Sequence, residues 1–446
     1  MIGLVVNPVA GVGGPAGLAG SDGADVQRLA LARGARSRAQ ERAVLALTTL
    51  AERHPGLVVA TAAGAMGADA VRAAGLVPRV VWPGSPSARL AAECTASSRR
   101  DPVHSAIAGA LSGDEGARAG KAEGATEAAD TSRAVTALWA SGAELILVVG
   151  GDGTLRDAVA GLGAAEHPSG GGTAVGRYGG DSVAAEGTSR QVLLNEEDQA
   201  VEKPAVLGVP AGVKMYSPVF AVSPRAAGAI AADWIDHGGL PTDEREVLDI
   251  DEAAMRRARV DPTLYGMLRV PYRTGRTQAR KAPTPVTEAA AVEAAARGAV
   301  ARMLPGVRYL LGPGGTTAEI AGQLGVEGSP LGVDVVLDGA AVVRGASEQE
   351  LLAEIASGPA QAVITVIGGQ GFLLGRGNQQ LSASVLRAIG DDPLLVVAPE
   401  QKLIDLHGRP LLVDTGDPEL DARLAGHVRI VTGVGTSSLY AVSAPN

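Results

Sequence analysis

Residues 146–158 read ILVVGGDGTLRDA. An apolar, β-like run over 145–149 enters two adjacent glycines, an aspartate and a third glycine, and 154–159 then suits the first turns of a helix. A strand-to-helix turn of this kind exposes backbone amides beside a helix N-terminus. Directed N–H groups and the positive end of the helix dipole bind phosphate there. No Lys-Ser/Thr pair follows, so the turn is not a Walker A loop. Asp152 is the carboxylate inside it. Beside bound phosphates it would take the proton from an attacking hydroxyl or help hold Mg²⁺. The competing reading is a tight turn whose aspartate bonds its own backbone.

The surrounding pattern places this turn in an α/β fold. Residues 2–6, IGLVV, form a short buried strand that runs into a glycine-rich loop, NPVAGVGGPAGLAGSDG (7–23). Helices are expected at 39–53, 67–75 and 130–141, and strands at 57–61, 79–82 and 144–149. Strands alternating with helices imply a parallel sheet with right-handed crossovers. The first domain, residues 1–205, is therefore expected to be a three-layer, Rossmann-like parallel-sheet domain with its cleft at the carboxyl ends of the strands. Two stretches of weak pattern, 95–126 and 163–204, are expected to be surface insertions. After a strand at 206–210 and helices at 224–236 and 286–303, short β-like runs recur at 308–311, 333–337, 362–367, 394–398 and 428–431. A β-rich second domain with helices, 206–446, is expected from them.

Composition narrows the class. Hydrophobic residues are 46% of the 446-residue chain and aromatics 2%, so the core is built from Ala, Val, Leu and Ile. A net charge of −9 with so few aromatics lacks the basic footprint and stacking platform of a nucleic-acid binder. Any anionic ligand needs local amides and a few chosen cations. The single cysteine, Cys94, fits a reducing compartment. MIGLVVNPVAG has no basic n-region, and no apolar run reaches the ~18 residues of a membrane-spanning helix. The expected location is the cytoplasm.

The pentapeptide GGDGT resembles the signature shared by NAD kinases, diacylglycerol and sphingosine kinases and phosphofructokinases. Other segments narrow the resemblance: the 7–23 loop, LGVPAGVKMYSPVFA (207–221), LGPGGTT (311–317), LGVDVV (331–336), IGGQGFLLGRGNQQLS (367–382) and LLVDTGD (411–417). They are similar to the ATP-NAD kinase-like family of the NAD kinase/diacylglycerol kinase superfamily, and to its branch associated with acetoin catabolism. The resemblance spans the chain apart from 95–126 and 163–204. It implies an NAD-kinase-type second domain whose terminal segment packs back on the first, a homo-oligomer, and a kinase using ATP and Mg²⁺. By position, Asp152 is then the general base on the adenosine ribose 2′-hydroxyl of NAD. Gly150, Gly151, Gly153 and Thr154 contact nucleotide phosphate, with Asn7 and Pro8 at the same cleft. Gly314, Gly315, Thr316 and Thr317 stand where NAD kinases carry a Gly-Ser-Thr loop. Those enzymes also carry an Asn-Glu motif between the two loops; the only Asn-Glu here, Asn195-Glu196, lies before 207–221.

Further residues are singled out by chemistry. Lys214, alone in VPAGVKMYS, either neutralises a phosphate or is a solvated loop lysine. In GGQGFLLGRGNQQ, Arg376 suits bidentate phosphate recognition, and Gln370, Asn378, Gln379 and Gln380 suit a base or ribose; a glycine-rich bend with capped backbone is the alternative. Asp22 and Asp334 are isolated carboxylates, each a site or a turn former. No metal centre is expected, because the histidines at 54, 104, 167, 237, 407 and 427 show no close ligand spacing. A GxGxxA match at 11–16 is spoiled by Pro15 and the glycines that follow it, which argues against a dehydrogenase. The leading expectation is an ATP-dependent kinase acting on NAD or a related nucleotide-like hydroxyl compound. The rivals are a lipid kinase, opposed by the 207–221 and 367–382 segments, and a nucleotide-binding regulator without catalysis.

Overall fold

The computed structural model describes residues 1–18, 24–84, 127–164, 202–213, 215–249, 263–273, 277, 289–329 and 331–445. The insertions expected at 95–126 and 163–204 lie almost wholly outside them, as do Asp22, Lys214 and Asn195-Glu196.

Five parallel strands form the first sheet, in the order β3-β2-β1-β4-β5. They are β1 (Ile2–Val6), β2 (Val58–Ala62), β3 (Val77–Trp82), β4 (Leu145–Gly150) and β5 (Ala205–Pro210). Every residue of β1, β4 and β5 is buried, as continuous Val, Ile and Leu runs require when helices cover both faces. Helices α2 (Ala39–Arg53), α3 (Ala68–Ala73), α4 (Ala128–Ala140), α5 (Asp152–Ala164) and α6 (Pro224–Asp236) supply the cover, while α1 (Ala24–Ala32) packs on the loop after β1. The α4 and α5 pair packs so closely that a Cβ at Gly161 would lie 2.4 Å from the Ser132 carbonyl. Helix α6 packs on α2 in the same way. The expected boundary at 205/206 falls on β5, and β5 pairs along its whole length with β4. The first unit therefore continues through β5, α6 and an antiparallel ribbon, β6 (Thr242–Asp249) and β7 (Thr263–Pro271), which lies on α5. No sequence pattern pointed to that ribbon.

The second sheet is mixed, with nine strands ordered β10-β9-β8-β11-β13-β15-β16-β14-β12. Its centre is parallel: β8 (Arg308–Leu311), β11 (Ala360–Thr365), β13 (Leu394–Val397) and β15 (Gly426–Gly433). Strands β9 (Asp334–Leu337) and β10 (Ala340–Val343) close one edge, and β16 (Thr436–Ser443), β14 (Leu411–Val413) and β12 (Phe372–Leu374) the other. Helix α7 (Ala289–Val300) lies against β15, and α8 (Gly315–Gln323) follows β8. Helices α9 (Glu348–Ala356), α10 (Ala383–Ile389), α11 (Glu400–Ile404) and α12 (Pro418–Leu424) complete the unit.

Residues 372–414 of the second domain reach the first. β16 sits within the second sheet, between β15 and β14. The contacts come from Phe372, buried in the first domain's core, Leu412, packed against that core, and Asp414, which accepts from Arg42 of α2.

Helices α2 and α6 meet at Gly228, where a Cβ would lie 2.0 Å from the Ala46 carbonyl oxygen and 2.9 Å from Thr49 Cβ. Alanine is the better helix former by about 1 kcal/mol, but here overpacking decides the sign. Gly228→Ala is expected to lower unfolding free energy by about 1–3 kcal/mol in a urea titration. Unchanged or increased stability would show that the helices do not approach this closely.

Candidate active site

In the first sheet β1 and β4 are neighbours, and the chain winds outward from them in opposite directions. That is the topological switch point of an open α/β sheet, where the loops beyond the carboxyl ends part and leave a crevice. The two loops there are those after β1 and after β4.

The loop after β4 is the GGDGT turn. Gly150 ends the strand, and a Cβ on it would lie 2.2 Å from Thr154 Oγ1, so a side chain is excluded. Asp152 opens α5, and its turn is closed by Thr154 N and Leu155 N donating to Gly151 O (3.0 and 3.1 Å). The loop after β1 is joined to it: Asn7 N donates to Val149 O (3.0 Å), and Asn7 Nδ2 donates to Thr154 Oγ1 (3.1 Å). Asn7, Pro8, Gly150, Gly151, Asp152, Gly153 and Thr154 are thus brought together.

Asp152 does not cap its own helix. Its carboxylate accepts from Tyr216 N (2.6 Å), Ser217 N (3.0 Å) and Ser217 Oγ (2.5 Å), and the residue is 1% exposed. Ser217 Oγ in turn accepts from Leu248 N at 3.0 Å. Burial pushes the Asp152 carboxyl up to about 6 against the pull of these donors, and the nearby Asp249 charge adds to the rise. A raised folded-state value means that ionising Asp152 opposes folding as pH climbs from the unfolded value through 6. The penalty above that point is roughly 3 kcal/mol. Asp249 is itself buried and receives Arg156 Nη1 at 3.0 Å.

Segment 211–217 is gripped from several sides. Ala211 N and Gly212 N both donate to Gly150 O at 2.9 Å. Gly11, at φ +74°, lies so close that a Cβ would fall 2.2 Å from Ala211 O. From the second domain, Gln370 Nε2 donates to Met215 O (3.1 Å) and Gln379 Nε2 to Gly212 O (3.1 Å). The amides of the 367–382 stretch therefore hold the segment that cradles Asp152.

Other residues singled out from sequence have different surroundings. Arg376 is 4% exposed, lies 4.1 Å over the Phe372 ring, and donates to Asp414 Oδ2 (2.9 Å) and Val222 O (3.0 Å). It fastens the two domains rather than facing the GGDGT turn. Asn378 fixes its own bend, accepting from Gly375 N (3.0 Å) and donating to Leu373 O (2.8 Å). Gln380 is buried with its amide oxygen unpartnered. Asp334 accepts from Ser329 N, Ser329 Oγ and Gly345 N, which makes it a loop holder. Gly314, Gly315, Thr316 and Thr317 form the N-terminal turn of α8, with Thr317 Oγ1 donating to Gly314 O (2.8 Å) and the buried Thr316 hydroxyl unpartnered. Among the described residues, no hydrogen bond joins that turn to GGDGT. Ser217 and Asp249 carry no motif of their own, and only the fold puts them at the site.

A family model of the ATP-NAD kinase N-terminal domain matches residues 2–168, and one of the ATP-NAD kinase C-terminal domain matches 304–442. The chain belongs to the ATP-NAD kinase family. No curated protein and no solved structure matches it. Family membership makes it an ATP-dependent kinase, a phosphotransferase with an alcohol group as acceptor that binds nucleotide substrates. The family's donor is ATP or polyphosphate, used with a divalent metal. Strand β5, the Asp152 cradle, α6 and the ribbon fall between the two matched regions.

Removing the Ser217 hydroxyl tests the cradle of this ATP-NAD kinase family member. A hydrogen bond to a charged group is worth about 1.5–3 kcal/mol and one to a neutral group about 1. Because the hydroxyl favours the ionised carboxylate, Ser217→Ala is expected to destabilise by about 2 kcal/mol at pH 7.5 and by less at pH 5, where Asp152 is protonated. Urea titrations at the two pH values measure this; equal losses would mean the hydroxyl does not serve the carboxylate.

Proposed function

We propose that the chain transfers the terminal phosphoryl group of ATP to the adenosine ribose 2′-hydroxyl of NAD, forming NADP, with Asp152 as general base. One observation carries the reading. An ionised carboxylate offers about four acceptor positions, and the cradle fills three of those of Asp152, leaving one for an incoming hydroxyl. With its carboxyl lifted to about 6, Asp152 is ionised at neutral pH yet basic enough to accept a proton in the transition state. The hydroxyl oxygen bonds to the γ-phosphorus, the bond to the ADP oxygen breaks, and the hydroxyl proton passes to Asp152.

The remaining roles follow from position. Exposed amides of Gly151 and Gly153 at the N-terminus of α5 suit phosphate, with Thr154 and Asn7 fixing the turn and Pro8 in the adjoining loop. Gly314, Gly315, Thr316 and Thr317 offer a second helix N-terminus, whose buried Thr316 hydroxyl has no partner among the described residues. Lys214 would add a cation. The described residues hold no group of three or more His, Cys, Asp and Glu able to cage a metal. Mg²⁺ would therefore enter with the donor's phosphates at the end of the cleft holding Asp152 and Asp249, where it neutralises phosphate charge. The segments 207–221 and 367–382 support the acetoin-associated branch, and homo-oligomeric assembly in the cytoplasm accords with the family. No helix among the described residues is long and apolar enough to cross a membrane.

A second acceptor is favoured by one observation: the chain has no Asn-Glu between the GGDGT and GPGGTT loops other than Asn195-Glu196, which precedes the cradle. The same phosphoryl transfer to another hydroxyl compound fits that departure.

Mass spectrometry after incubation with ATP, Mg²⁺ and a pool of NAD, NADH, nucleosides and small alcohols tests both. The expected result is one added phosphoryl group on NAD. Asp152→Asn is expected to cut the rate by at least about 10²-fold while leaving ATP binding in place. A phosphoryl group on another member of the pool would replace NAD by that acceptor. Binding of ATP or NAD without any transfer would leave a regulator.

A further inference from the structure

A cleft of about 500 Å³, counted to its open mouth, lies between the domains beside residues 211, 212 and 215. Ala211, Gly212 and Met215 form its wall, while Tyr216 and Ser217 of the same segment hold the Asp152 carboxylate. Asp152 itself does not line it.

The charges around this cleft do not balance. Arg38 and Arg42, from the N-terminal end of α2, both line it. Arg42 Nη1 pairs with Asp414 at 2.9 Å, and the buried Arg376 Nη1 takes the same carboxylate oxygen at 2.9 Å. Arg42 and Arg376 thus share Asp414, Asp421 adds one further carboxylate near Arg42, and Arg38 reaches only the Thr415 carbonyl, at 3.1 Å. Two of these guanidinia also converge: a Cβ on Gly416 would lie 3.3 Å from Arg42 Nη2 and 3.6 Å from Arg38 Nη1. Like charges brought together at a partly buried site repel unless an anion comes between them. In a chain of net charge −9, such a concentration of guanidinium is out of keeping with the surface at large.

A second, independent feature concerns hydrogen bonding. Gln379 lines the cleft, and its amide nitrogen is fixed by the Gly212 carbonyl at 3.1 Å. That assignment turns its amide oxygen toward Gly14, where it is buried with no donor. A ligand hydroxyl or amine in the cleft would meet this oxygen once the Gln379 amide turns and releases the Gly212 carbonyl.

We propose that Arg38 and Arg42 form a pyrophosphate-binding site in this cleft, with Gln379 accepting from a hydroxyl or amine of the same ligand. Planar guanidinium forks match phosphate oxygens bidentately, and the N-terminus of α2 adds its positive end. The ligand class, a nucleotide carrying a di- or triphosphate arm, rests on the kinase reading; the anion site itself rests on the arginines. Two sources share this chemistry, the phosphates of the donor and the pyrophosphate of an NAD-like acceptor.

Titration calorimetry on the full chain with inorganic pyrophosphate, ATP and NAD as separate probes tests the site. Arg38→Ala is the informative variant, since Arg38 takes no part in the Asp414 pair. Arg36→Ala, which removes an exposed arginine outside the cleft, controls for net charge. Arg38→Ala is expected to weaken pyrophosphate binding by at least about tenfold, with Arg36→Ala changing it less than about twofold. Asp152→Asn is expected to leave pyrophosphate binding unchanged. A matching loss for ATP assigns the site to the donor, and one for NAD assigns it to the acceptor. Pyrophosphate that does not bind the unaltered chain, or binds the Arg38 variant equally well, overturns the proposal. If pyrophosphate binding depends on Arg38 but no acceptor is phosphorylated, the kinase reading fails and the site stands. If phosphorylation proceeds and Arg38 is immaterial to all three probes, the site fails alone.

Discussion

Much of this molecule is organised around where residues 211–217 run. The segment leaves β5, presents two amides to the Gly150 carbonyl, and wraps Tyr216 and Ser217 around the Asp152 carboxylate. Those bonds compensate only part of the burial, so the carboxyl is left with a proton affinity far above an ordinary aspartate's. The same segment explains Gly11, and the GGDGT turn itself explains Gly150. Gly150 must pass beneath Thr154 Oγ1, and Gly11 must pass beneath Ala211 O, so neither can carry a side chain.

The second domain reaches the GGDGT turn through this segment. Gln370 and Gln379 hold its carbonyls, and Gln370 takes the carbonyl of the residue just before the amides that bind Asp152. A buried ion cluster secures the arrangement, with Asp414 shared by Arg42 of the first domain and Arg376 of the second. Such a cluster contributes little net stability compared with an apolar interface, but removing one partner strands a buried charge. It therefore fixes the relative placement of the domains more than it strengthens the fold. Placement is what phosphoryl transfer demands, since little covalent chemistry falls to the protein.

Much of the fold was legible because apolar period survives in the first domain and in the centre of the second sheet. Helices at 39–53 and 224–236 and the strand at 308–311 lie as their patterns indicated. The ribbon was hidden because β6 opens with TDERE, a charged run that shows no alternation. The short elements α9 to α12, β12 and β14 offer too few residues for a period to declare itself. The turn at 150–154 and the attachment of Asn7 were readable from residue type and order. The partners of Asp152 were not, since Ser217 is 65 residues away and looks like any loop serine. The surroundings of Arg376 were hidden for a related reason. An arginine among glycines and amides resembles a phosphate ligand until a carboxylate 38 residues on, Asp414, is seen beside it. Arg38 drew no notice because charge at the start of a helix is ordinary, and only the fold sets it beside Arg42 over Gly416.

The proposed base role requires that one buried carboxylate, cradled by 216 and 217, be ionised yet basic at neutral pH. Carboxyl ¹³C NMR on the full chain, titrated between pH 4 and 9 with Asp152→Asn identifying the resonance, measures this directly. An ionisation midpoint close to 6 is expected. A midpoint near the ordinary aspartate value of about 3.9 would mean that Asp152 is solvated and the cradle is not as described. Protonation persisting through pH 8 would mean that the group cannot serve as a base under physiological conditions.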